Sequence, residues 1–156
     1  MICTAAGAVF SLVLRKRVSQ LRSLLALTNE MSAKIRYRAV PLPELIGELT
    51  EESVYADCAF LRRVGNALNG GLTVQDAWVE AAHTAPFLSD SDRELLADIG
   101  SRLGDTDTEG QTSMLALAGD MLSRSLDEAE IDCAKRARAL IGVWTMCGIG
   151  AGIIIL

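Results

Sequence analysis

The stretch SMLALAGDMLSRSLDEAEI, residues 113–131, decides the fold class of this chain. Its apolar residues recur at steps of three and four, the spacing of an amphipathic helix. These residues are Met114, Leu115, Leu117, Ala118, Met121, Leu122, Leu126 and Ile131. Since no proline interrupts the chain beyond this stretch, we predict one long helix that continues into the C-terminal segment. No alternating strand pattern occurs elsewhere, so the sequence predicts an all-α fold.

The C-terminal segment ALIGVWTMCGIGAGIIIL, residues 139–156, has 18 residues without charge or proline. That length and composition are typical of a transmembrane helix, and its glycines allow close helix approach. A buried core helix is the alternative, but so small a chain has little core in which to enclose it. We therefore expect 139–156 to cross a membrane.

The N-terminal segment MICTAAGAVFSLVL, residues 1–14, is also uncharged. As a helix it would be about 21 Å long, against a hydrocarbon core of about 30 Å. A cleaved signal peptide carries its basic residues before the apolar run, whereas here they follow it. We expect a short membrane segment, which either thins the bilayer or lacks its first residues. The predicted domains are thus 1–14, a cytoplasmic helical bundle over 15–138, and 139–156.

Charge is distributed unevenly between the two apolar segments. Residues 15–38 carry a net charge of +6, residues 39–132 carry −14, and residues 133–138 carry +3. By the positive-inside rule, the basic flanks place the middle of the chain in the cytoplasm and suit contact with anionic lipid. The acidic middle argues against nucleic-acid binding.

The middle of the chain divides into helices at clear signals. We expect a first helix over about 14–39, with an apolar stripe of Val18, Leu21, Leu25, Thr28, Met31 or Ser32, and Ile35. The corner Pro41-Leu42-Pro43 ends it. Shorter helices are predicted over about 43–49, 53–68 with Val54 on its apolar side, 74–83 capped by Thr73 and Asp76, and 91–103 with a capping box of Ser91 and Glu94. Together with the long last helix, these make an antiparallel bundle of about six helices.

The sequence offers no catalytic, cofactor-binding or metal-binding constellation. His83 is the single histidine, and the "NGG" at 69–71 lacks the residues that a phosphate loop requires. The four cysteines are widely spaced, which disfavours a disulfide or zinc framework. We therefore expect a protein that is not an enzyme, and that binds neither a cofactor nor a small-molecule substrate.

The stretch LGDTDTEG, residues 103–110, resembles the start of a calcium-binding EF-hand loop. The residue that would have to close that loop with a bidentate carboxylate is Ala116. A second reading accounts for the same residues. Gly104 ends one helix, Asp105 or Thr106 caps the next, and Asp107 and Glu109 lie in its first turn. We favour capping, with weak cation binding as the alternative.

The stretch KIRYRAVPLPE, residues 34–44, places basic residues and a tyrosine at a helix end before the proline corner. It is consistent with compensation of the helix dipole and equally with a docking surface.

These stretches, taken in order, resemble one family. KIRYRAVPLPE, then GGLTVQDAW (70–78), then LLADIGSRLGDTDTEGQ (95–111) and the apolar C-terminal segment are similar to the stage III sporulation protein AB family over almost the whole chain. That family is related to the cytoplasmic domain of type II secretion F proteins, which are six-helix bundles. The matching positions are Arg36, Tyr37, Pro41, Leu42, Pro43, Gly71, Trp78, Gly104, Asp107 and Gln111. The abbreviated segment 1–14 departs from the family pattern.

The resemblance implies a structural component of the sporulation channel complex between mother cell and forespore. Such a protein would lie in the mother-cell membrane around the forespore, with its main domain in the cytoplasm. Its partners would be the other membrane proteins of that complex and a secretion-type ATPase, for which the bundle would be a platform. We expect the acidic middle to meet a basic patch on that ATPase. The rival functions are a soluble or peripheral regulatory bundle and, with less support, a small membrane enzyme.

Overall fold

A computed structural model describes the backbone of residues 2–38 and 40–154, and the side chains of residues 12–38 and 40–135. Over these residues the chain forms six α-helices, one 3-10 turn and no strands, which confirms the all-α prediction. The helices are α1 (Ile2–Arg38), α2 (Leu42–Glu51), α3 (Ala59–Asn69), α4 (Val74–His83), α5 (Asp90–Arg102) and α6 (Thr108–Ile154), and the 3-10 turn is Ser53–Tyr55.

The two long helices, α1 and α6, form the most extensive packing pair and run antiparallel. Arg22 of α1 bonds Glu130 of α6 at 2.7 Å. Further along α1, Asn29 faces Gly119 of α6. A Cβ added at Gly119 would lie 3.4 Å from the Oδ1 atom of Asn29. Moving forward along α1 therefore means moving backward along α6. Because their direction is fixed in this way, α1 and α6 leave the bundle together at one end.

The four shorter helices alternate in direction against this pair. Arg38 and Lys34 of α1 bond Glu48 and Glu52 at 2.9 and 2.6 Å, which sets α2 antiparallel to α1. The start of α5 is fixed beside the N-terminal half of α1, where Arg17 bonds Asp92 at 2.8 Å. The result is an up-and-down bundle, as predicted from the sequence.

The core centres on the only tryptophan among the described side chains. Trp78 is 1% exposed and meets Phe60 edge to face, with ring centroids 4.9 Å apart. Its indole N–H donates to the carbonyl of Leu96 at 3.0 Å. An added Cβ at Gly100 would lie only 2.3 Å from Trp78 Cδ1, so a glycine is required where α5 crosses the indole. The prediction that Trp78 is a core residue is confirmed.

The predicted helix over 53–68 is wrong in its first third. The chain makes a 3-10 turn at Ser53–Tyr55 and becomes extended at Cys58 before α3 begins. Tyr55 and Cys58 are both buried, and the Tyr55 hydroxyl donates to Glu30 of α1 at 2.6 Å. That interhelix bond and the burial of both side chains favour the turn over a continuous helix. Val54, predicted on the apolar side, is exposed instead.

The capping box of α5 was also predicted two residues too late. The box consists of Ser89 and Asp92, each side chain bonding the other's backbone N–H. Thr73, by contrast, caps α4 as predicted and accepts the N–H of Asp76 at 3.2 Å. A smaller difference concerns α2, which extends to Glu51, whereas α1 begins at Ile2 and so runs on continuously from segment 1–14, as expected.

Three residues of the apolar stripe predicted for α6 point outward. Leu117, Met121 and Ile131 are exposed, whereas Leu115, Ala118, Leu122 and Leu126 are buried as expected. The stripe predicted for α1 is correct at Leu21, Thr28, Met31 and Ile35, and also includes Leu24 and Leu27.

None of the helices, over the part of the chain that the structure describes, combines the length and apolar character that a membrane crossing needs. The side chains of the predicted segment 139–156, and of residues 1–11 in the predicted segment 1–14, lie outside the described residues. The division into 1–14, 15–138 and 139–156 therefore stays a prediction.

Candidate functional site

The candidate site is the end of the bundle opposite to the one where α1 and α6 leave it. Because the helices alternate in direction, the α1–α2, α3–α4 and α5–α6 junctions all lie there, and we call this surface the loop end. Nine of the ten residues singled out by the sequence lie in these junctions or in the adjacent helical turns, and the tenth, Trp78, lies in the core.

At the α1–α2 junction, two prolines set the first turn of α2. Pro41 precedes the first turn of α2, and its carbonyl accepts the N–H of Leu45 at 3.0 Å. Pro43 lies in that first turn, where its missing N–H costs no helical hydrogen bond. Arg36 and Tyr37, one turn earlier, both point into solvent, and Tyr37 is 81% exposed. The corner therefore displays a basic and an aromatic side chain that the fold itself does not bury.

A cluster of charged groups holds this corner in place. Lys34 lies 3.2, 3.9 and 2.6 Å from carboxylate oxygens of Glu30, Glu48 and Glu52. The hydrogen bond to Glu52 is the main cause of a raised Lys34 pKa. The hydrogen bond from Tyr55 is the main cause of a lowered Glu30 pKa. The cluster joins α1 to the last turn of α2 and to Glu52, the residue that follows it, and the sequence analysis did not identify it.

The α5–α6 junction lies against the corner. Gly104 has φ +92°, which favours glycine, and an added Cβ there would lie 3.3 Å from Leu42 Cδ1 and 3.4 Å from Gln75 Nε2. The Gln75 amide donates to the carbonyl of Leu103 at 2.8 Å, which ties α4 to the same junction. The structure thus brings together Leu42 and Gly104, two positions predicted from distant parts of the chain. Gln75, which contacts the same junction, could not be identified from the residues around it in the sequence.

The remaining residues of this junction form a local cap for α6. The Asp107 carboxylate accepts the N–H of Gly110 at 3.0 Å, and the Gln111 side-chain amide donates to the carbonyl of Thr106 at 2.8 Å. The prediction of capping is correct in kind but named the wrong residue, since Asp107 is itself the cap rather than Asp105 or Thr106. Asp105 and Glu109 are exposed beside it.

Gly71 and Trp78 occupy different environments. Gly71 is exposed in the α3–α4 junction with φ +91°, and an added Cβ would meet nothing within 4 Å. The positive φ alone explains why glycine occupies this position, since no close neighbour excludes a side chain there. Trp78 lies inside the bundle, where it packs against Phe60 and Gly100.

The loop end exposes the side chains of Arg36, Tyr37, Asp105 and Glu109. Within residues 12–38 and 40–135, no three His, Cys, Asp or Glu side chains converge in a way that could hold a metal ion. The one thiol buried in the described core, Cys58, has its pKa raised by burial, which makes it a weak nucleophile. The exposed groups of the loop end are charged and aromatic side chains, the types that recognise another protein.

The fold and this site define a class of protein, an all-α bundle with charged and aromatic side chains exposed at its loop end. The family model for stage III sporulation protein AB matches residues 1–156, the whole chain. The chain belongs to the stage III sporulation protein AB family, and with it to the proteins of sporulation stage III. No curated protein and no solved structure matches it.

Proposed function

We propose that this chain is a membrane-anchored assembly component of the stage III sporulation channel complex between mother cell and forespore, and that its bundle is a platform for a secretion-type ATPase. It acts by binding rather than by catalysis. Its partners are that ATPase and the other membrane proteins of the complex.

The observation that carries the proposal is the shared exit of α1 and α6. The two helices are joined by Arg22 and Glu130, and Arg15 and Cys133 line a common groove between them. Beyond this point the sequence becomes uncharged in both directions, over 1–14 and 139–156. Two apolar segments that start side by side suit a membrane hairpin, with the bundle on the side of the basic flanks.

The platform surface is the loop end, which such an anchor holds away from the membrane. It offers Tyr37 beside Arg36, and the exposed carboxylates of Asp105 and Glu109. Aromatic and arginine side chains are frequent anchors of protein interfaces, and charge complementarity speeds encounter. The kinship with type II secretion F proteins, which serve their own ATPases in this way, is part of the same proposal.

The membrane anchor is tested by alkaline extraction of membranes from sporulating cells, combined with thiol labelling of Tyr37→Cys in a chain that has alanine at positions 3, 133 and 147 and keeps the buried Cys58. We expect the full chain to resist extraction and position 37 to react only from the cytoplasmic side. Release of the chain by alkali would favour a peripheral regulatory bundle and overturn the anchor.

The platform is tested by charge reversal. Asp105→Lys with Glu109→Lys reverses the exposed acids of the loop end. Asp127→Lys with Glu128→Lys makes the same change in net charge further along α6, where both side chains are exposed. We expect only the first pair to abolish co-purification of the ATPase. Equal co-purification with both double variants and the unaltered chain would contradict the platform.

A further inference from the structure

The loop between α4 and α5 lies at the end of the bundle where α1 and α6 leave it. Arg17 holds it there: its guanidinium donates to Asp92 at 2.8 and 3.2 Å, and to the Ser89 hydroxyl at 3.3 Å. Asp92 is fully buried, so the start of α5 is fixed beside the N-terminal half of α1. The residues just before Ser89 are therefore held in a defined position.

Phe87 in this loop has an unusual backbone conformation. Its φ is +65°, and it is the one residue other than glycine with a positive φ among the described backbone. The left-handed backbone region is strained for a bulky side chain, so some other interaction has to hold Phe87 in it. Its neighbours Ala85 and Leu88 are buried, whereas the Phe87 side chain is 41% exposed. The turn thus buries the apolar groups on either side and directs an aromatic ring outward.

A basic side chain of α1 lies over that ring, and further basic and apolar side chains lie beside it on α1. The Lys16 ammonium lies 5.5 Å from the ring centroid, within the range of a cation–π contact. Arg15 is exposed next to it, and Leu12, one helical turn earlier, is 59% exposed. Leu12, Arg15 and Lys16 also line a groove with Asp57, an acidic group that faces this surface.

We propose that Leu12, Val13, Arg15, Lys16 and Phe87, the Phe87 patch, rest on an anionic lipid surface. Phe87 lies at the interface between headgroups and acyl chains, and Arg15 and Lys16 contact the headgroups. This proposal rests on the membrane anchor proposed above and adds a second contact between bundle and bilayer, which limits the bundle's tilt on its anchor.

The occupant follows from charge and position. An aromatic ring beside ammonium and guanidinium groups is the usual composition of an interfacial membrane contact, and basic side chains are drawn to anionic headgroups. The patch directly follows the uncharged start of the chain, and the basic stretch 133–138 lies on the adjoining helix.

The test uses the full chain labelled with 4-fluorophenylalanine, in bilayers of phosphatidylcholine and phosphatidylglycerol that contain a lipid with a nitroxide near its headgroup. The three phenylalanines give separate reporters: Phe10 for the proposed anchor, buried Phe60 for the core, and Phe87 for the patch. Leucine substitution at each assigns its fluorine resonance. We expect the nitroxide to broaden Phe10 and Phe87 and to affect Phe60 much less.

Each other outcome decides against the proposal in a recognisable way. Broadening at Phe10 without broadening at Phe87 overturns the lipid contact of the patch and leaves the anchor intact. This is the result expected if a protein partner, rather than lipid, covers Phe87. Absence of broadening at both overturns the patch and the anchor together. Equal broadening at Phe60 and Phe87 also refutes the patch, since it shows no specific approach to lipid.

The charge component has its own matched control. Arg15→Gln with Lys16→Gln should reduce the broadening of Phe87 in bilayers with phosphatidylglycerol. Arg62→Gln with Arg63→Gln removes the same charge from exposed positions on α3 and should leave it unchanged. Equal effects of the two double variants would contradict headgroup contact at the patch.

Discussion

Replacing Gly100 by alanine tests the packing that supports the loop end. The new Cβ would lie 2.3, 2.8 and 3.0 Å from Cδ1, Cγ and Cβ of Trp78, far inside contact distance. Since both residues belong to regular helices and Trp78 is 1% exposed, neither can move aside freely. The indole has to shift, and its N–H would lose the bond to the Leu96 carbonyl.

The magnitude follows from three contributions. Overpacking of a well-packed core costs about 1–3 kcal/mol, and we take the upper value because three atoms clash. Loss of the indole hydrogen bond costs about 1 kcal/mol more. Alanine gains about 1 kcal/mol over glycine as a helix former. The expected net destabilisation is about 3 kcal/mol, a large part of the about 5–15 kcal/mol that stabilises a typical domain.

The assay is denaturant unfolding of the full chain in mild detergent, followed by far-ultraviolet circular dichroism. Gly47→Ala, at an exposed position of α2, is the matched control, because its Cβ would meet nothing within 4 Å. That variant should be stabilised by about 1 kcal/mol from helix propensity alone. If Gly100→Ala unfolded at the same denaturant concentration as Gly47→Ala, the close approach of α5 to the indole would be refuted.

Three further predictions concern polar contacts. Tyr55→Phe removes the hydroxyl bond to Glu30 and should lower the free energy of unfolding by about 1–2 kcal/mol, measured by denaturation at neutral pH; no loss would show that the bond is unimportant. Burial alone would raise the pKa of Asp92, but the hydrogen bonds and the charge of Arg17 outweigh burial and lower that pKa. The ionised carboxylate therefore stabilises the fold above its ordinary pKa, and this stabilisation should be lost as the pH falls through the lowered pKa. Asp92→Asn should flatten this part of the stability–pH curve, and an unchanged acid limb would exclude Asp92 as its source. Asp107→Ala should lower the free energy of unfolding by about 1 kcal/mol through loss of the α6 cap, whereas Asp107→Asn should keep most of the capping stabilisation. Equal losses of stability for the two variants in thermal melts would argue against capping.

Features that depend on neighbours in the sequence were predictable. The proline corner, the Thr73 cap of α4 and the positive φ of Gly104 rest on local chemistry. The core position of Trp78 follows from its helical spacing with Val74 and Ala82, which are both buried.

Features that depend on a second helix were not predictable in the same way. The sequence holds two similar capping boxes, Ser89 with Asp92 and Ser91 with Glu94, and only the bond from Arg17 of α1 to Asp92 distinguishes them. The break before α3 likewise depends on Tyr55 reaching across to Glu30.

At the candidate site, the sequence indicated the residues but not which of them meet. Leu42 and Gly104 come together through tertiary packing, and Gln75 joins them without any signal of its own. Asp107 and Gln111, which the resemblance also singled out, bond only within their own junction.

The central claim, that the loop end is a platform for a secretion-type ATPase, is tested most directly by photo-crosslinking in sporulating cells. A photoreactive phenylalanine derivative replaces Tyr37, which is 81% exposed at the loop end, or Val54, which is 76% exposed outside it. The account predicts an adduct with the ATPase from position 37 and none from position 54. Absence of the adduct at position 37, or equal adducts from both positions, would contradict it.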